Sequence, residues 1–261
     1  MNYSFEFFDE IGQESLSSAK VVVPLALDLL HPSSIVDIGC ATGAWLSVFR
    51  DHGINTILGL DGSYVDRSKL LIPSDSFHVV NLVKPFSLSK QFDLALSLEV
   101  AEHLPPESAN GFVQSLCQLA PIVLFSAAVP GQGGEHHMNE QWPEYWRQLF
   151  AKQHFLMFDP FRPMLLHDEH VAFWYRQNLF LFIRNDVLRS NPRFSQLPEV
   201  KDGNGLMLVQ DYILFGNVGF RATLKRLPHL LWAALRRRVQ RLFLKGTDSE
   251  ETRPGSGRAL R

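Results

Sequence analysis

Residues 34–43 read SIVDIGCATG, a short β-branched strand pattern that ends in a turn with glycine at positions 39 and 43. The helical pattern AWLSVFRDHG follows at residues 44–53, and a second strand pattern at residues 55–60 ends at Asp61. A strand, a glycine turn, a helix and another strand form one α/β unit, in which the helix joins two parallel strands. This unit predicts an open sheet whose ligand binds beyond the carboxyl ends of the strands.

Similar strand patterns recur with helical stretches between most of them, at residues 76–80, 92–98, 122–126, 155–158 and 179–183. Residues 17–30 are an apolar helical lead-in, in which Pro24 predicts a kink or a later start. The fold class that we predict is α/β, a doubly wound and mostly parallel Rossmann-like sheet of about seven strands, with helices on both faces. A basic helical appendage is expected at the C-terminus.

The composition excludes several classes of protein. Because 46% of the 261 residues are hydrophobic and 20% are charged, the chain can form a sizeable core and is not disordered as a whole. No apolar run reaches the roughly 18 residues that span a bilayer, and the acidic, aromatic start MNYSFEFFDE is not a secretory signal. Two cysteines are too few for a disulfide scaffold, so we expect a cytoplasmic protein.

Charge divides the chain into three parts. Residues 212–246 contain eight basic residues and no acid, a formal charge of +8. Residues 247–261 carry three acids and three arginines, so a total charge of −2 leaves −10 on residues 1–211. We predict a globular domain at residues 1–211, a basic amphipathic helical segment at residues 212–246 and a disordered tail at residues 247–261.

The basic segment contains LPHLLWAALRRRVQRLFL at residues 227–244, with the apolar side chains largely on one side of a helix and four arginines on much of the rest. This pattern is typical of a helix that lies in a membrane interface. We therefore expect peripheral contact with an anionic membrane at its inner face; the alternative is a helix that packs on the domain. Nucleic acid is not an expected partner, because the acidic body offers no matching basic surface.

The glycine turn and the acid after the second strand indicate a nucleotide-like ligand. Glycine allows positive φ and a close approach of the backbone to a ligand, and Asp61 lies about 20 residues on, where an acid can accept both ribose hydroxyls. A dinucleotide site would require G-x-G-x-x-G, but Ala41 occupies the middle position and no third glycine follows. A nucleotide-dependent oxidoreductase is therefore disfavoured.

The pattern VDIGCATGAWL with the later GLDG resembles motif I and the following acid of class I S-adenosylmethionine-dependent methyltransferases, and FDLALSLEVAEHLP at residues 92–105 resembles their fourth-strand motif. The resemblance implies that the turn holds the methionine part of S-adenosyl-L-methionine, that Asp61 holds the ribose, and that Asn81 and Leu82 contact the adenine. The family's GCGTG reads GCATG here, a change that we expect to be tolerated if Ala41 keeps a negative φ. The predicted cofactor-binding residues are Asp37, Gly39, Ala41, Gly43, Asp61, Asn81, Leu82 and Leu98.

Two carboxylates and an imidazole follow the strand pattern at residues 92–98: Glu99, Glu102 and His103. These ligand types suit Mg²⁺ or Mn²⁺. The spacing resembles the metal-binding E-x-x-E-H of ubiquinone-biosynthesis O-methyltransferases and of small-RNA terminal 2′-O-methyltransferases, and His136 or His137 matches the later histidine of the latter. The predicted metal ligands are Glu99, Glu102, His103 and His137; the alternative is that Glu102 and His103 only cap the next helix, while Glu99 touches cofactor or solvent.

The catalytic candidates are His137, His103 and Glu102, and His137 without a metal is a general-base candidate because imidazole titrates near neutral pH.

Residues 125–150, Arg162-Pro163 and residues 174–178 resemble a bacterial subgroup associated with carbohydrate modification, which implies a glycan or sugar-containing acceptor. Aromatic and polar side chains there suit a sugar, although Trp142 and Trp146, four residues apart, are also typical of core packing. The predicted function is hydroxyl O-methylation; the alternatives are a small-molecule O-methyltransferase of the ubiquinone type and a non-catalytic, membrane-docking cofactor-binding scaffold.

Overall fold

The structure is a computed structural model that describes the backbone of residues 5–203 and the side chains of residues 12–203. The predicted basic segment at residues 212–246, with its amphipathic part at 227–244, and the predicted tail at 247–261 lie outside the described residues. Within residues 5–203, no helix is both long and apolar enough to cross a membrane.

A single sheet forms the centre of the described chain. Its strands are β1 (Ser34–Ile38), β2 (Thr56–Asp61), β3 (Phe77–Val79), β4 (Leu94–Leu98), β5 (Ile122–Ser126), β6 (Phe155–Phe158) and β7 (Phe180–Arg184). They lie in the order β3-β2-β1-β4-β5-β7-β6. Strands β1 to β5 pair in parallel, whereas β7 is antiparallel to both β5 and β6. The predicted seven-stranded, mostly parallel, Rossmann-like sheet is confirmed, with one reversed strand that the sequence patterns did not indicate.

The helices of this region are α1 (Phe5–Leu30), α2 (Ala44–Asp51), α3 (Ala109–Leu119), α4 (Pro143–Lys152), α5 (Arg162–Leu165), α6 (Phe173–Asn178) and α7 (Asn185–Ser190). Helix α1 begins earlier than the sequence predicted and continues through Pro24. The missing N–H of an interior proline costs about 3 kcal/mol. The fully buried Val22, Val23 and Ala26 explain why α1 continues, because burying an apolar helix face stabilises it more than local propensity does.

Alternate side chains of the sheet fill two cores. In β5, Leu124 belongs to the core under α1 and α2, whereas Val123 and Phe125 belong to the core under α3 and α4. This division is what a doubly wound sheet with helices on both faces requires.

The reversed β7 determines which residues meet at the carboxyl edge of the sheet. Because β7 runs opposite to its neighbour β5, the residues just before β7 lie near the point where β5 ends. Asn178 thereby reaches the edge at which β4 and β5 end, the edge where open α/β sheets bind their ligands.

Candidate active site

The turn after β1 has three residues in the left-handed region of φ: Gly39 at +82°, Ala41 at +47° and Gly43 at +84°. The condition set for tolerating alanine here, a negative φ at Ala41, is therefore not met. The turn reverses tightly enough to bring the Ala41 backbone N–H 2.7 Å from Oδ2 of Asp61, and that hydrogen bond holds the alanine in a conformation that favours glycine.

Close packing also requires glycine at both ends of this turn. A Cβ on Gly39 would lie 2.3 Å from Cγ2 of Val100, and one on Gly43 would lie 2.9 Å from Cγ1 of Ile72. Val100 is the second residue after β4 and lies between Glu99 and Glu102 in sequence. The glycine turn and the acidic segment are thus adjacent in the fold, as their neighbouring strands β1 and β4 predict.

Asp61 ends β2 and is buried against the glycine turn. Its carboxylate accepts hydrogen bonds from the backbone N–H groups of Ala41 (2.7 Å) and Gly62 (2.6 Å) and from the hydroxyl of Tyr64. Burial raises the pKa of Asp61, and the bonds from Tyr64, Gly62 and Ala41 oppose that rise. Tyr64 itself is half-exposed.

The other predicted cofactor residues occupy different environments. Asp37 is buried in β1, where burial and then the charge of Asp61 raise its pKa well above the ordinary value. Asn81 is exposed, and its Oδ1 accepts a hydrogen bond from the backbone N–H of Val83 at 3.0 Å. Leu82 and Leu98 are buried in the core. The turn backbone, Asp61 and Asn81 offer polar groups at the carboxyl edge of the sheet, where the parallel strands β1, β2 and β3 end.

Three predicted metal ligands do come together. Glu102, His103 and His137 each offer a ligand atom, and these atoms lie within 4.8 Å of one another. The Glu102 side chain is fully buried, and neither of its oxygens has a hydrogen-bond partner of good geometry. The N–H groups of Glu102 and Ala128 and the side chain of Glu99 are nevertheless near enough to affect its pKa. Burial and then the charge of Glu99 raise the pKa of Glu102 well above its usual value.

The two imidazoles of this cluster stand edge to face, with ring centroids 4.8 Å apart. Burial, followed by the charges of His137 and His136, lowers the pKa of His103 to about 4. His103 is therefore neutral at physiological pH, as a metal ligand must be. A buried carboxyl group whose oxygens have no partner of good geometry, beside a neutral imidazole, is chemically suited to a divalent cation.

Glu99, the fourth predicted ligand, has other partners. Its two oxygens accept hydrogen bonds from Nε2 of Gln132 (2.8 Å) and Nδ2 of Asn178 (3.2 Å). Its φ of +56° is unusual for a residue other than glycine and holds the side chain toward these amides. Each carboxylate oxygen keeps a second lone pair, so the amide bonds are compatible with a ligand role.

A loop joins the histidine after β5 to the acids after β4. The carbonyl of Glu102 accepts hydrogen bonds from the N–H groups of Met138 (2.8 Å) and Asn139 (3.0 Å). This pairing sets His137 beside His103, whereas His136 is exposed and lies outside the cluster. Of the two histidines that the sequence left open, the structure brings His137 to the site.

A family model described as a methyltransferase domain matches residues 11–162, more than half of the 261-residue chain. The chain belongs to this methyltransferase family. Its cofactor is S-adenosyl-L-methionine, and the residues present fit it, because Asp61 already accepts a hydroxyl hydrogen bond next to the glycine turn.

Solved structures share the fold of the methyltransferase at low sequence identity. A sugar N-methyltransferase from a Streptoalloteichus species is 13% identical, with 70% of this chain and 94% of that chain covered and a TM-score of 0.54. DesVI from Streptomyces venezuelae is 13% identical, with 70% and 100% covered and a TM-score of 0.51. An O-methyltransferase family protein from Burkholderia thailandensis is 12% identical, with 68% and 58% covered and a TM-score of 0.51. No curated protein sequence matches the methyltransferase significantly.

The aromatic and polar residues that suggested a sugar surface are mostly internal to the methyltransferase. Trp146 packs on Phe125 with ring centroids 5.2 Å apart, and Tyr175 packs on Trp45 at 5.1 Å. The buried residues of this aromatic and polar set are Asn139, Trp146, Arg162, Tyr175, Gln177 and Asn178. Partly exposed aromatic surface remains at Trp142 and Trp174.

Sequence reasoning missed the partners of the site residues. The hydrogen bond from Tyr64 to Asp61 has a local signal in the sequence, an aromatic residue three positions after the acid. The hydrogen bonds from Gln132 and Asn178 to Glu99 have no such local signal in the sequence. The two amides follow different strands and lie 33 and 79 positions away from Glu99 in the chain. Arg162 is almost fully buried and forms an ion pair with Asp159 at 2.7 Å, so the arginine of the Arg-Pro pair anchors the segment after β6.

Proposed function

We propose that this methyltransferase transfers the methyl group of S-adenosyl-L-methionine to a hydroxyl of a glycan or other sugar-containing acceptor. The observation that carries the proposal is the cluster of Glu102, His103 and His137 beside the glycine turn. Such a cluster can hold or deprotonate a hydroxyl next to a sulfonium methyl group.

The reaction is an in-line displacement. The acceptor oxygen forms a bond to the methyl carbon while the carbon–sulfur bond breaks, and the hydroxyl proton passes to a base. The main contribution of the protein is to place the two reactants in line, which is worth several kcal/mol of the barrier. A lone pair on His137 is suited to accept the proton, because neutral imidazole is a base near physiological pH.

We also propose that Glu102, His103 and His137, with Glu99 behind them, bind Mg²⁺ or Mn²⁺. A bound ion would act as a Lewis acid that lowers the pKa of the acceptor hydroxyl. The support is physical: burial and the charge of Glu99 oppose ionisation of the Glu102 carboxyl group, and a bound cation would offset both and give its oxygens a partner.

A sugar acceptor is supported by exposed aromatic surface and by the fold. The partly exposed Trp142 and Trp174 offer aromatic faces of the kind that stack on the C–H face of a sugar. One solved structure with this fold is a sugar N-methyltransferase, so the fold is compatible with a sugar acceptor.

The charge pattern suggests where the enzyme works. We propose a catalytic domain at residues 1–211 in the cytoplasm, a basic segment at 212–246 that contacts the anionic inner face of a membrane through residues 227–244, and a tail at 247–261. Membrane contact would bring the enzyme to lipid-linked sugars.

The experiment is a turnover assay with methyl-labelled cofactor and full-length protein, after EDTA treatment and again with Mg²⁺ or Mn²⁺ added. The acceptors are glycans, lipid-linked sugars and phenolic small molecules. We expect label in a sugar, loss of turnover with EDTA and recovery with the metal. Glu102→Gln and His103→Ala should lose turnover but keep their affinity for S-adenosylhomocysteine, whereas Glu107→Gln, an exposed control nearby, should keep both.

Other outcomes of the turnover assay would favour the alternative functions. Full activity in metal-free protein would refute the metal site and leave histidine-assisted transfer. Label only in phenols would support the small-molecule alternative. Cofactor binding without transfer to any acceptor would support a non-catalytic scaffold.

A further inference from the structure

We propose that Glu140 and Gly134 are positioning residues that fix the orientation of the His137 imidazole. In this orientation Nδ1–H donates a hydrogen bond to Glu140, and Nε2 carries the lone pair that takes part in the reaction. The inference rests on the proposed function, which gives His137 a role on the acceptor side. It holds whether Nε2 binds a metal or accepts a proton.

The carboxylate of Glu140 contacts three residues of the loop that carries His137. Its Oε2 accepts a hydrogen bond from the N–H of Gly131 at 2.7 Å, and its Oε1 accepts one from the N–H of Gly133 at 3.1 Å. The same Oε1 lies 3.0 Å from Nδ1 of His137. One carboxylate therefore folds the glycine-rich loop and orients the imidazole at its end.

The tautomer of His137 follows from this contact. An ionised carboxylate only accepts hydrogen bonds, so Nδ1 of a neutral imidazole beside it must carry the proton. Nε2 then bears the lone pair. The same arrangement, with a carboxylate on one ring nitrogen, fixes the orientation of metal-binding and catalytic histidines in general.

Gly134 gives the imidazole its space on the other side. A Cβ on Gly134 would lie 2.3 Å from Nε2 of His137 and 2.5 Å from Cε1. Any side chain at position 134 would therefore displace the ring from its place beside His103, at the nitrogen that the proposal reserves for chemistry.

Gly131 is a matched control in the same loop. It also has a positive φ, +89° against +145° at Gly134, but a Cβ there would meet no atom within 4 Å. Alanine at position 131 thus introduces backbone strain without touching the ring. Glu144 is the control for Glu140, because its carboxylate also binds a backbone N–H, that of Gly203 at 2.8 Å, but outside the cluster.

The first measurement is ¹⁵N NMR of the full-length protein labelled at histidine, at pH 8, with His137→Gln to assign the signal. We expect His137 to be the Nδ1–H tautomer in the wild type. Glu140→Ala should give a mixed or Nε2–H tautomer, and Gly134→Ala should shift the Nε2 signal, whereas Glu144→Ala and Gly131→Ala should leave both unchanged. An Nε2–H tautomer in the wild type would overturn the proposal.

The second measurement is a Mn²⁺ titration of the same proteins, with S-adenosylhomocysteine affinity measured in parallel. Loss of a residue that orients a ligand typically costs about 10–100-fold in metal affinity, so we expect this loss in Glu140→Ala and Gly134→Ala but not in the two controls. Cofactor affinity should change less than about twofold. If Gly131→Ala weakens Mn²⁺ binding as much as Gly134→Ala does while His137 keeps the Nδ1–H tautomer, loop strain is the cause and the positioning role of Gly134 is wrong. If the wild type binds no Mn²⁺ but shows the Nδ1–H tautomer, the metal site fails and the positioning role stands.

Discussion

Glu102→Gln should make the metal-free protein more stable, although it removes a residue of the proposed active site. The Glu102 side chain is fully buried and neither oxygen has a partner of good geometry. An unsatisfied buried polar group costs about 1–3 kcal/mol, and more when it is charged. Glutamine fills the same space without charge, and its amide can donate to the nearby Glu99. We expect a gain of about 2 kcal/mol at pH 8 in EDTA, which raises Tm by roughly 4–8 °C for a domain of this size.

The gain should depend on pH in a defined direction. Burial, followed by the charge of Glu99, raises the pKa of Glu102 in the folded state well above its unfolded value. The native state therefore holds the proton more tightly, and wild-type stability falls as the pH rises from about 4.5 through the raised folded value. The two proteins should thus be similar in stability near pH 4 and diverge toward pH 8.

Thermal unfolding with EDTA or with Mn²⁺ provides the assay. Saturating metal should stabilise the wild type, by about 2.7 kcal/mol at 100 times the dissociation constant, and stabilise the glutamine variant much less. Glu107→Gln, at an exposed position, should change stability by less than about 0.5 kcal/mol. A wild type that is as stable as Glu102→Gln at pH 8 in EDTA would show that the buried carboxylate has adequate partners, and the reasoning would be refuted.

Three more predictions concern the cofactor, the turn and the basic segment. Asp61→Ala should weaken S-adenosylhomocysteine binding in calorimetry by about 1.5–3 kcal/mol, the scale of charge-assisted hydrogen bonds; unchanged affinity would remove the ribose assignment. Ala41→Gly should raise the free energy of unfolding in urea by about 0.5–1 kcal/mol, because the relief of left-handed strain exceeds the added entropy of the unfolded chain. Ala44→Gly, at the start of a helix, should lower it by up to about 1 kcal/mol, and equal effects at the two positions would contradict this account. Deleting residues 227–261 should leave cofactor affinity intact and reduce binding to anionic vesicles, as added salt should also do. A full-length protein that ignores such vesicles at low salt would exclude the membrane role.

The elements of the fold could be predicted because their signals are local. The predicted strands at residues 122–126 and 155–158 coincide with β5 and β6. Each is a short β-branched or aromatic run between breaks, and a buried strand gives this pattern wherever it lies in the sheet. The glycine turn was readable for the same reason.

What could not be predicted depends on tertiary contacts. The continuation of α1 through Pro24 depends on the core beneath it, and the φ of Ala41 depends on the hydrogen bond to Asp61. The direction of β7 has no signature in its own residues. The set Glu99, Glu102 and His103 was readable from spacing, but the amide partners of Glu99 were not, since they come from distant parts of the chain.

The reversed strand β7 also bears on the order in which the molecule is completed during synthesis. Asn178, which reaches the site only through β7, follows its partner Glu99 by 79 positions. At typical elongation rates of about 5–20 residues per second, roughly 4–16 seconds separate the emergence of the two residues. The strands beside the glycine turn can pair within that interval, whereas Glu99 receives its second amide only when β7 inserts between β5 and β6. A nascent chain halted before residue 178 is therefore expected to have the glycine turn and its bond to Asp61, and to lack one of the two amide partners of Glu99.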